Sequence, residues 1–135
     1  MTTYGITKSL AQSFDEVVPA VKEALKAQGF GVLTEIDVQA TMKAKLDEDI
    51  APYLILGACN PPLAFRALSA ETSIGLLLPC NVVVRVDGDR TVVEAIDPMT
   101  MVNFTDNPKL QGIADEATAR LTAALESLSD PSTKV

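Results

Sequence analysis

Apolar residues recur along the chain at two periods, and their alternation divides the sequence into elements. Tyr4, Ile6 and Leu10 share one parity across residues 3–10, the spacing of a half-buried strand. Ser13-Phe14-Asp15-Glu16 then reads as a capping box, with the Ser13 hydroxyl accepting from the Glu16 amide and the Glu16 carboxylate reaching back. Phe14, Val17, Val18, Val21, Ala24 and Leu25 follow at helical spacing, and Gly29 stands where a left-handed residue ends a helix. Pro19 lies past the first turn and cannot donate to Asp15, which predicts a kink or a later start.

Phe30, Val32, Thr34 and Ile36 alternate as a second strand, closed by Asp37, an N-cap for a short helix carrying Val38, Met42 and Leu46. Tyr53 to Ala58 is apolar on both parities and predicts a third strand covered on both faces. Asn60 caps, and Pro61 opens, a short helix, the missing N–H falling where no helical partner exists. Leu76 to Val86 reads as one long strand, with a bulge or edge at Pro79 because proline cannot donate to a ladder. Asp87-Gly88 signals a hairpin to a return strand over 90–96, and Asp97-Pro98 stops it. After an irregular MTMVNF, Asn107 and Pro108 start a terminal helix whose apolar stripe runs through Leu110, Ile113, Ala114, Ala117, Leu121, Leu125 and Leu128.

The resulting order is strand, helix, strand, helix, strand, helix, strand, strand, helix. It predicts an α+β fold: a mainly antiparallel sheet of about five strands, two long helices and two short ones. One domain over residues 1–129 and a frayed tail over 130–135 are expected. Two helices cannot cover both faces of so apolar a sheet, so a second copy of the chain is expected to supply the missing layer.

Composition narrows the chemistry. The chain of 135 residues carries 11 basic and 18 acidic side chains, a net charge of −7 that repels phosphate backbones and anionic lipid. Four scattered arginines and no Trp leave little to stack on bases, so no nucleic-acid partner is expected. No stretch approaches a membrane span, and MTTYGITKSL has no signal-peptide pattern, so a cytoplasmic protein without a membrane partner is expected. Histidine is absent, which removes imidazole acid-base chemistry, Ser-His-Asp and Cys-His nucleophiles and His-containing zinc sites.

Two cysteines remain, in ILGACNPPLAFRAL and LLLPCNVVV. Cys59 precedes the helix that Asn60 and Pro61 begin, where free amides and the helix dipole would hold a thiolate below the usual pKa of ~8.5. The competing reading is a small hydrophobe packed at a strand end. If the third and fourth strands are neighbours, Cys80 approaches Cys59, and the pair with Met99 or Met101 would suit a soft cation such as Cu(I) better than zinc. Asp47-Glu48-Asp49 and Asp87-Gly88-Asp89 read as a solvated helix exit and a hairpin tip, since neither has calcium-loop spacing. Gly29-Phe30-Gly31 follows a helix and lacks the third glycine of a dinucleotide fingerprint.

Gly57-Ala58-Cys59-Asn60-Pro61 with the following Leu63-Ala64, GLLLPCNVVV over 75–84, and Gly29-Phe30-Gly31-Val32 together resemble the domain of unknown function 302 family over about residues 3–128. The resemblance implies a small α+β domain, commonly dimeric, with no established activity and no catalytic residues to transfer. Phe65 departs from it, standing where relatives often carry a polar residue such as histidine.

The sequence therefore favours a non-enzyme without a cofactor or bound metal. The leading expectation is a module holding a small molecule near Cys59, Asn60, Pro61, Cys80 and Asn81. A thiol redox or soft-metal protein using Cys59 and Cys80 is one alternative, and a homodimeric structural domain is another.

Overall fold

The computed structural model describes residues 2–129, so the expected frayed tail at 130–135 lies outside the described residues. Strand β1 (Gly5–Leu10) leads into helix α1 (Phe14–Ala27) at the predicted cap. The Glu16 N–H donates to Ser13 Oγ at 3.3 Å, while the Ser13 hydroxyl donates to Glu16 Oε1 at 3.0 Å. Pro19 does not delay α1, which starts at Phe14 and stays helical through it. Asp15 and Pro19 are both exposed, so the carbonyl that loses its donor meets water instead.

The end of α1 is the predicted glycine stop. Phe30 N–H donates to Leu25 O at 2.9 Å and Gly29 N–H to Lys26 O at 3.0 Å, with Gly29 at φ 84. These are the two bonds of a Schellman motif, and buried Phe30 supplies its apolar contact.

Strand β2 (Gly31–Asp37) passes to helix α2 (Val38–Leu46), capped by Asp37 Oδ1 accepting from Ala40 N–H at 2.9 Å. The expected apolar stripe of α2 is not buried, and Leu46 is exposed. Strand β3 (Tyr53–Cys59), helix α3 (Pro61–Ala70), strand β4 (Cys80–Asp87) and strand β5 (Arg90–Ile96) follow, then helix α4 (Met99–Thr105) and helix α5 (Gln111–Glu126). The sheet order is β1-β5-β4-β3-β2, every neighbouring pair antiparallel. Gly88, at φ 62, and Asp89 form the β4–β5 turn, one residue on from the expected pair.

Two expectations are corrected. Residues 72–77 form a 3-10 helix rather than the start of a long strand. The reason lies in the neighbour: β3 pairs with β4 only as far as Ala58 opposite Cys80, then turns away, so residues 76–79 have no ladder to join. Pro79 therefore sits just outside the central strand and interrupts nothing. The supposedly irregular MTMVNF segment is α4, whose Met101 is buried. Its Thr, Val and Asn are weak helix formers, and tertiary burial decides its state.

Helices α1 and α5 cover one face of the sheet around Leu25, Leu56, Val82, Val84, Val93 and Leu121. A second cluster lies beyond the sheet end, where Leu63 of α3, Ile74, Met101 of α4, Leu110 and Ile113 meet. Helix α5 serves both, its first half packing into the second cluster and its last turns onto the sheet. The opposite sheet face carries the cross-strand pair Ile55 and Val83, both half-exposed, with no helix among the buried clusters above it.

Gly29→Ala is expected to cost roughly 1–3 kcal/mol in urea unfolding, because a Cβ there meets a left-handed φ and lies 3.0 Å from Asn60 Nδ2. Gly31→Ala, with nothing within 4 Å of its Cβ, is expected to leave the midpoint unchanged or raise it. Equal midpoints for the two variants would contradict the Schellman assignment.

Candidate functional site

The register decides which predicted residues meet. Ala58 faces Cys80 and Gly57 faces Asn81, so alternation sends Cys80 toward the helices and Asn81 to the uncovered face. Gly57 is required by contact rather than by backbone angle: a Cβ there would overlap Thr34 Oγ1 and lie 2.9 Å from Pro79 Cγ. Cys59 ends β3 opposite Gly31, and Asn60, in extended conformation, turns the chain into α3.

Asn60 is a buried cap, 8% exposed, whose Oδ1 accepts from Leu63 N–H at 3.2 Å and whose carbonyl accepts from Ala64 N–H at 2.9 Å. Pro61 and Pro62 have no N–H, so this helix start has no free amide left. The helix is where it was expected, with Pro61 and Pro62 at its first two positions and the Leu63 N–H taken by Asn60.

Beside this turn lies a cavity of about 300 Å³ between the two hydrophobic clusters. Its floor is Ala58 and Cys80 of the sheet, its walls Leu63 and Ala67 of α3 and Ile113 and Ala117 of α5. Cys59, Asn60 and Met101 also line it, and no charged side chain does. Of the predicted site residues, Cys59, Asn60 and Cys80 are brought together here. Pro61 is exposed outside the lining, and Asn81 borders two smaller cavities reaching the other sheet face. Met101 joins the thiols in the lining, whereas Met99 does not.

The small side chains that make this space, Ala64, Ala67 and Ala117, were not singled out as site residues in the sequence. Their signal was present: alanines on two helix faces leave room wherever those faces oppose each other across a gap.

The thiols are unlinked, and burial followed by the neighbouring Cys59 pushes the Cys80 pKa up to about 11. A neutral thiol is therefore the resting state of Cys80. Among the described residues no group of three or more Cys, Asp or Glu is arranged to hold a metal ion. The arginines of the two wall helices are committed to other partners: Arg66 Nη1 and Arg120 Nε both bind Glu116, at 3.2 and 3.1 Å, and Arg120 Nη1 donates to Gln28 O. Their donation holds the Glu116 carboxyl below its ordinary range.

The profile of the family described as "Domain of unknown function DUF302" matches residues 6–128. The crystal structure of an uncharacterized conserved protein DUF302 from Bacillus stearothermophilus is similar at a TM-score of 0.86 and 30% identity, covering 93% of this chain and 98% of that one. No curated protein matches the sequence.

A thiol that loses its proton later in the folded chain than in the unfolded one binds more protons when folded between the two values. Stability from Cys80 is thus fully present below about pH 9 and is lost as pH rises toward about 11. Urea titrations from pH 8 to 10.5 are expected to show a decline that Cys80→Ala reduces, by about 1–3 kcal/mol in total. Parallel curves for the two proteins would contradict the burial of this thiol.

Proposed function

The chain belongs to the DUF302 family, and we propose that it is a binding module that holds a small molecule between its two hydrophobic clusters, beside Cys59, Asn60 and Cys80. The observation that carries this reading is a cavity of about 300 Å³ with apolar walls and one amide, at the low end of the range for small-molecule sites. The cavity opens to solvent past the exposed Leu33 and Leu68, which gives a small molecule a way in. The free thiols fit a reducing compartment such as the cytoplasm.

The thiol-redox and soft-metal readings have less support, since Cys80 favours its protonated form and the start of α3 offers no amide to a thiolate. Homodimerisation through the uncovered sheet face accompanies the binding reading rather than competing with it. Its support is the apolar Ile55–Val83 pair, left half-exposed at the middle of that face.

Two measurements test these readings. The neutral fluorophore N-phenyl-1-naphthylamine is expected to bind saturably, one per chain. Ala117→Leu, which fills the cavity from α5, is expected to weaken it at least about tenfold without lowering the melting temperature by more than a few degrees. Unchanged affinity in that variant would place the probe elsewhere and remove the reading. In sedimentation equilibrium the wild type is expected to run as a dimer and Val83→Lys as a monomer; a monomeric wild type would dismiss the dimer.

A further inference from the structure

The chemistry of the cavity also selects what enters it, and this step rests on the cavity being a binding site. No charged side chain lines the space. The helix that starts at its edge cannot hold an anion through its amides, because Pro61 and Pro62 have none and Asn60 Oδ1 already takes the Leu63 N–H. Arg120, packed close to Gly29 next to Asn60, is bound to Glu116 and to Gln28 O, and Arg66 shares the same carboxylate. A carboxylate or phosphate in the cavity would therefore be desolvated without a partner, and an ammonium equally so, since no acid lines the walls.

One polar function remains. Asn60 spends its oxygen on the cap, and its Nδ2, next to Gly29, is not among the buried unpaired atoms and so keeps contact with solvent. A solvent-accessible amide donor at the cavity wall can exchange its water for a ligand oxygen that accepts, and an ionised ligand is not needed for that. At the mouth, Leu33 and Leu68 line the cavity while 67% and 42% exposed, and Phe65, one turn before Leu68 on α3, is 71% exposed. Apolar surface thus continues outward from the enclosed part. At about 30 Å³ for each water-sized group, a space of about 300 Å³ takes roughly ten heavy atoms.

The geometry points to an uncharged aliphatic ligand that places about ten heavy atoms in the cavity and carries one hydrogen-bond-accepting oxygen, such as a ketone, ester or alcohol, that meets the Asn60 amide. Nucleotides, sugars and any ligand whose ionised group must lie inside the walls are excluded.

Calorimetric titration of the full chain at pH 8 with 2-nonanone, 1-nonanol, nonanoate and octylammonium tests this. The ketone and alcohol are expected to bind, and the two ions to bind at least about thirtyfold more weakly. Asn60→Asp keeps a capping oxygen but replaces the donor with an anion. In that variant, checked for an unchanged circular dichroism spectrum, 2-nonanone is expected to weaken about tenfold and octylammonium to strengthen. Nonanoate binding as tightly as 2-nonanone would overturn the neutral-ligand class and leave the cavity a binding site. Unchanged 2-nonanone affinity in Asn60→Asp would overturn the role of the amide. Failure of every compound to bind, together with equal fluorophore binding in wild type and Ala117→Leu, would remove the site itself.

Discussion

The structure depends on how β3 ends. At Cys59 the chain leaves the sheet, and the buried Asn60 side chain fixes the departure by capping α3, an interaction of the kind that contributes about 1 kcal/mol. Had β3 continued, residues 76–79 would have found a ladder partner, and the sheet would have filled the space α3 now overlooks. Because it turns, β4 starts at Cys80, the preceding segment tightens into a 3-10 helix, and α3 and α4 gather a second apolar cluster past the sheet end. Helix α5 bridges the two clusters with alanines where it crosses between them. The cavity follows from that geometry, and so does its contact with Gly29, whose missing Cβ lets the Asn60 amide approach.

The same turn sets the electrostatics. A helix N-terminus facing an apolar space would ordinarily invite an anion through its free amides. Here two prolines and one cap remove those amides, and one glutamate occupies both nearby arginines. What faces the cavity is uncharged: alkyl groups, a protonated thiol at Cys80 and a single carboxamide. A net charge of −7 is carried elsewhere, for example on the exposed Asp47 and Asp49 that share Lys43.

Much of this was readable from the residues. The capping box at Ser13, the glycine stop at 29, the caps at Asp37 and Asn60 and the stripe of α5 are local signals, and each is where its chemistry placed it, whereas Asn107 caps a three-residue 3-10 turn ahead of α5 rather than α5 itself. The α+β class and five-strand antiparallel sheet followed from them. Elements decided by distant partners were not readable. Leu76 and Leu78 keep strand parity, yet no strand lies beside them, so parity misled. Helix α4 has only its two methionines as good formers and is held by the burial of Met101 in the cluster shared with α5. At the site, Cys59, Asn60 and Cys80 were legible as chemistry. Pro61 shapes the turn without lining the cavity, and Asn81 lies one register step away, on the other face. The alanine walls carry no chemistry of their own and become meaningful only when α3 and α5 oppose each other.

The central claim is that an apolar, uncharged space stands between the two clusters beside the Asn60 turn. Crystals of the protein pressurised with xenon test it without assuming any ligand, since xenon enters dry apolar cavities and not hydrated polar ones. The account predicts a xenon site bounded by Ala58, Ala67 and Ala117. Density showing a hydrogen-bonded water cluster there, or side chains collapsed to fill the space, would contradict it.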